Sequence, residues 1–163
     1  MLEEITRIIG ESELREGVIW LLFNVPGLPP ILQSLHIITV ALIVGTIGIT
    51  HLRILNVAIL AQDPLDLVRR YQGVLTWALA AALITGIAFV IARPARYFLN
   101  PVAGAKFAFL VLAVVLTFWA FRTLKQGGLD WRVRSLSGLS IVAWVGVVFG
   151  GRWIAYVDYL YWD

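Results

Sequence analysis

Residues 101–121 read PVAGAKFAFLVLAVVLTFWAF, an apolar run of bilayer-crossing length with a single charged side chain, Lys106. A spanning helix needs about 20 predominantly apolar residues. Pro101 suits the first turn of such a helix, where a missing N–H costs nothing. Three further stretches have the same character, at about 30–54, 74–92 and 136–157. The first has room to extend to Leu60, the second is ended by Arg93 and Pro94, and Gly127-Gly128-Leu129-Asp130 marks a turn before the last.

Composition agrees with this reading. Of the 163 residues, 60% are hydrophobic and 14% charged, with a mean hydropathy of +0.87. An average soluble domain carries about 25% charged residues. A chain this short cannot bury so much apolar surface in water, so lipid must cover the rest. The expected fold is an all-α membrane protein: a four-transmembrane-helix bundle over 30–163, preceded by an interfacial amphipathic segment over 1–29. In that segment Leu2, Ile5, Ile8 and Ile9 follow helical spacing around Glu3, Glu4 and Arg7. Pro26, Pro29 and Pro30 interrupt VIWLLFNVPGLPP before it is long enough to span.

Other classes drop out. The chain has no cysteine, which removes disulfides and thiolate metal sites. A net charge of +3, spread through the loops, does not suit a nucleic-acid partner. The acidic N-terminus lacks the positive region of a cleavable signal and is expected to stay on the protein. Arg53, Arg69, Arg70, Arg122, Lys125, Arg132 and Arg134 gather around the first and third connections. The opposite side has Arg93, Arg96 and an N-terminal segment with five Glu against two Arg. The positive-inside rule therefore predicts both termini on the non-cytoplasmic side of a bacterial inner membrane. Small residues four apart predict close helix approach: Ala41 and Gly45; Ala78, Ala82 and Gly86; Gly104 and Ala108; Gly146 and Gly150. Trp77, Trp131, Trp153 and Trp162 fall near span ends, as an aromatic belt would.

Three polar side chains inside the spans carry the functional question. His36 is six residues past Pro30, Lys106 five past Pro101, and Arg152 five before Val157. At 1.5 Å per residue each lies about 8–9 Å inside its span, on the same side. One reading has the two cations snorkelling to headgroups and the histidine making a helix–helix hydrogen bond. The other is a pocket for something anionic or electron-rich: haem propionates, a quinone carbonyl or a lipid phosphate. Gln33 and Thr39 neighbour His36, and Asp158 offers internal neutralisation of a cation. For a haem iron, His36 is the preferred metal ligand. His51 lies fifteen residues on, about 22 Å along and 60° around the helix, so the two cannot share one haem. Beside Arg53, His51 reads as an interfacial residue. The chain has no Glu-x-x-His pair for a di-metal site, Ser34, Ser135, Ser137 and Ser140 lack a partner base, and no acid lies mid-span. Catalysis and proton pumping therefore find little support.

Four stretches together, SLHIITVALIVGT (34–46), HLRIL (51–55), NPVAGAK (100–106) and GRWIAYV (151–157), resemble a family of small uncharacterised bacterial proteins with four membrane helices. The resemblance covers about 30–157 and implies that His36, Asn100, Pro101, Lys106, Gly151, Arg152 and Trp153 fall on the family's recurring positions. In that pattern an acidic residue is usual where this chain has His51, and a histidine where it has Phe121 and Arg122. The first helix is more distantly similar to four-helix cytochromes b and copper-resistance membrane proteins. Three expectations about function follow. One is a non-catalytic subunit of a larger electron-transfer assembly, partnered by other membrane subunits or its own copies, with haem or quinone near His36, Lys106 and Arg152. The alternatives are a self-contained b-type cytochrome, and a protein that binds or transports a lipid or small anion.

Overall fold

The computed structural model describes residues 1–160, except the side chains of Ala155, Asp158, Tyr159 and Leu160. The expectations for Asp158 and Trp162 therefore lie outside the described residues. Every element is helical: α1 (Leu2–Gly10), α2 (Glu13–Asn24), α3 (Leu28–Ile54), α4 (Pro64–Ala92), α5 (Pro94–Phe98), α6 (Pro101–Gly127) and α7 (Trp131–Leu160). Four of them are long and apolar enough to cross a membrane.

The helix starts are set by local chemistry. The Ser12 hydroxyl accepts from Arg15 N–H, the Asp63 carboxylate from Leu65 and Asp66 N–H, and Asn100 Oδ1 from Val102 and Ala103 N–H. Each satisfies backbone donors that a helix start leaves open. Gly27, at φ 78°, makes the turn before α3, a conformation glycine adopts without steric cost. α4 thus begins ten residues before the expected span at Val74. Its first turns bury Pro64, Leu67 and Val68 while Arg69 and Arg70 stay exposed. α6 likewise runs past Phe121, and α7 starts before Leu136. Removing the α6 cap with Asn100→Ala should cost about 1 kcal/mol, read as a thermal midpoint about 2–4 °C lower; an unchanged midpoint would show the cap to be idle.

Packing is uneven. α3 and α4 form one close hairpin, α6 and α7 another, and α3 lies against α7 to join them, while α4 and α6 scarcely touch. Where α3 and α6 begin, here the upper end, α1 rests on α5 and α2 on α4. Ile43, Ile47, Ala78, Ala113, Ala143, Trp144 and Val147 fill the middle of the bundle. A lower cluster, Ile54, Val68, Leu124 and Val133, ties the other end. Two of the small-residue rows meet partners. The Phe109 ring lies on Gly146 and the Lys106 stem on Gly150, while the His36 ring lies on Gly86. The Ala41/Gly45 and Gly104/Ala108 rows instead point outward. Helix contact on this bundle needs a side chain opposite the small residue, and those two rows have none.

Candidate functional site

Polar chemistry inside the bundle collects at two levels. At the upper one, His36 Nδ1 and Thr85 Oγ1 are 2.8 Å apart, linking α3 to α4. Thr85 gives its one proton to Ala81 O, at 2.8 Å. Its oxygen therefore accepts from His36 Nδ1–H, which leaves Nε2 of the neutral ring as a bare acceptor. Phe89 meets the ring edge-on at 6.3 Å. Lys106, half-buried on α6, lies along Gly150 and Gly151 of α7. Arg152 does not join them. It is exposed, donates to Tyr156 Oη at 2.9 Å and stacks over that ring at 5.1 Å. Of the three side chains expected at one depth, His36 packs on α4, Lys106 packs on α7, and Arg152 is turned outward along its own helix.

The lower level differs from the sequence expectation. His51 is 0% exposed, not interfacial. Its Nε2 lies 3.5 Å from Thr117 Oγ1, its ring packs on Phe121 at 5.4 Å, and its Nδ1 has no partner. Thr117 is the junction: it also accepts from Trp144 Nε1–H at 3.0 Å and shares a hydrogen bond of 2.8 Å with Ser140. One hydroxyl on α6 thus joins α3 and two turns of α7. His51 and Phe121 are thus in contact across the α3–α6 junction.

Thr117 and Trp144 also line a cleft of about 500 Å³ where α4 and α6 fail to close. That volume lies within the range of small-molecule sites, about 300–1,000 Å³. Its walls include Leu75, Leu79, Val114 and Phe118. Thr50 and Thr76 also line it, but give their protons to Thr46 O and Gln72 O in their own helices. At the lower rim stand Arg122, Lys125 and Gln72, with Lys125 Nζ reaching Gln72 Oε1 at 3.4 Å across the gap. Among the described lining residues both full charges are positive. Ile47 and Trp144 of the central cluster also line the cleft. His36 is the described imidazole with a free nitrogen outside the core, and no group of three or more His, Cys, Asp or Glu comes together among the described residues.

Fold and sites define a small helical-bundle protein with four membrane-length helices, a lateral recess and two internal polar levels. The chain belongs to a family of unknown function, DUF6644, which it matches over residues 28–157. The match begins where α3 begins, so α1 and α2 lie outside it. Neither a curated protein nor a solved structure matches the chain.

Proposed function

We propose that the protein is a non-catalytic, membrane-embedded binding protein for an anionic amphiphile, which enters the cleft between α4 and α6 sideways from the bilayer. The carrying observation is the recess itself, with largely apolar walls and a cationic rim formed by Arg122 and Lys125. The rim falls on the side that the excess of Lys and Arg assigns to the cytoplasm. A lipid of that leaflet would then enter in its ordinary orientation, head at the rim and chain toward Trp144. Partner membrane subunits or further copies would share the apolar exterior with lipid.

Of the readings the sequence left open, this one has a cavity of the right polarity. An electron-transfer subunit would use the same recess for a quinone, which is neutral. A haem on His36 would need its second axial ligand from another chain, because His51 is buried elsewhere in the bundle.

Binding of a fluorescent long-chain fatty acid to detergent-solubilised protein separates these cases. Arg122→Gln/Lys125→Gln should weaken it at least about tenfold, which is 1.4 kcal/mol. Thr76→Trp, on the exposed cleft wall, should abolish it. Wild-type affinity in both variants would sink the proposal. Sensitivity to Thr76→Trp alone, with a quinone retained, would favour the electron-transfer reading.

A further inference from the structure

A second cavity lies on the outside of the bundle, in the seam between α6 and α7. It is an open groove of about 430 Å³, separate from the cleft between α4 and α6. By their order along the helices, Phe109 and Phe149 mark its lower part and Trp153 its upper end. Gly146 and Trp153 are seven residues apart, so the groove runs about 10 Å along the seam. Phe149 and Trp153 are exposed beside it.

Lys106 is the one charged side chain among the described residues that line this groove. Its stem is packed: a Cβ on Gly150 would come within 3.0 Å of Lys106 Cβ, and one on Gly151 within 3.8 Å of Nζ. The stem therefore climbs α7 from Gly150 toward Gly151. That carries the ammonium toward the start of α6, the direction in which side chains lean on a helix. Lys106 itself lies five residues past Pro101, about 8 Å inside the helix, so a rising stem brings its charge close to headgroup level. Among the described residues no carboxylate offsets that charge. A cation kept in an apolar span without a partner is costly.

A cation at the top of a narrow apolar groove fits an occupant with an anionic head and an apolar tail. We propose that the α6–α7 groove holds an acyl chain of an anionic phospholipid from the upper leaflet. A phosphate oxygen accepts from Lys106 Nζ, and the chain runs down past Phe149 to Phe109. The rival occupant, a second copy of this chain, brings no matching charge. Its described acids lie in or beside α1 and α2 and at the lower end, at Asp63, Asp66 and Asp130, none of them within an apolar span. The inference rests on the membrane setting of the proposed function but not on the cleft, which is lined by the lower half of α6.

The test uses the full chain carrying Arg122→Gln/Lys125→Gln, so that the cleft does not contribute and failure here leaves the cleft reading standing. Native mass spectrometry counts the phosphatidylglycerol and phosphatidylcholine retained from an equal mixture. One phosphatidylglycerol should be retained in preference. Lys106→Met should lower that preference at least about fivefold, the worth of one lysine at an anionic lipid surface, and Lys106→Arg should keep it. Ala105→Trp, on the exposed groove wall, should expel the lipid, while Ala108→Trp, exposed outside the groove, should not. If Lys106→Met does not fold, the two tryptophan variants decide alone. Equal retention of both lipids by the parent, an unchanged preference in Lys106→Met, or a lipid indifferent to Ala105→Trp would overturn the proposal. So would a dimer that Ala105→Trp dissociates, since the groove would then belong to a second copy. A preference that appears only in Asp158→Asn would mean that the chain's own carboxylate holds Lys106, and would overturn it as well.

Discussion

Gly146→Leu should take the α6–α7 hairpin apart. A Cβ at position 146 would lie 2.9 Å from two atoms of the Phe109 ring, closer than such contacts occur, so the ring or the helix that carries it must move. Even Gly146→Ala should cost about 1–3 kcal/mol through overpacking, lowering the thermal midpoint in detergent by about 2–10 °C. The three further carbons of leucine would have to displace α6 itself, so the expected result is aggregated or unrecoverable protein. Gly104→Ala and Gly45→Ala provide the contrast. Both glycines face outward with nothing within 4 Å of an added Cβ, so helix propensity alone acts there. Alanine should be neutral or stabilising at those positions by up to about 1 kcal/mol. If Gly146→Ala proved as harmless as Gly104→Ala, the close approach of α6 and α7 would be wrong.

Thr117→Val is the second large effect. Valine keeps the shape and removes the hydroxyl that serves Trp144, Ser140 and His51 together. The Trp144 N–H can only donate, so it loses its acceptor outright. A buried group left unpaired costs about 1–3 kcal/mol in water-soluble proteins. Interhelical hydrogen bonds in membranes average nearer 0.6 kcal/mol, because the separated helices find other partners. Three dependants on one oxygen place the total at about 1–3 kcal/mol, again several degrees in the midpoint. Thr117→Ser should recover most of it. A valine variant as stable as the parent would mean that the network is incidental to α3–α6–α7 association.

How much of this was open to reading depended on what ends a helix. Hydropathy located the four long helices, and Pro30, Pro101 and the Gly127-Gly128 turn located their ends closely. It missed the early start of α4 because Arg69 and Arg70 broke the apolar run, although the Asp63 cap and Pro64 are both visible in the sequence. Depth counting set His36, Lys106 and Arg152 at one level, but did not show that His36 would pack on α4 and Lys106 on α7. It could not say that Arg152 turns outward, because depth fixes height on a helix and not the face. The same counting at the other end would have found the lower network. His51 is three residues before Ile54, Thr117 four before Phe121 and Ser140 four after Leu136, about 5–6 Å in each case. The neighbouring Arg53 drew attention away from it. The cleft was not legible at all, since it arises from two helices failing to meet, and no residue pattern announces a missing contact.

That missing contact has a mechanical side. Each hairpin is locked within itself, by Gly146 under Phe109 on one and by His36 on Thr85 and Gly86 on the other. Between them the main junction is α3 against α7. Two stiff leaves bound along one spine can swing without unravelling either, so the α4–α6 edge acts as the free margin of a hinge. In the bilayer setting proposed above its width would follow the lateral pressure of the lipid, and spin labels at Thr76 and Phe118 would register that opening as the lipid is thinned.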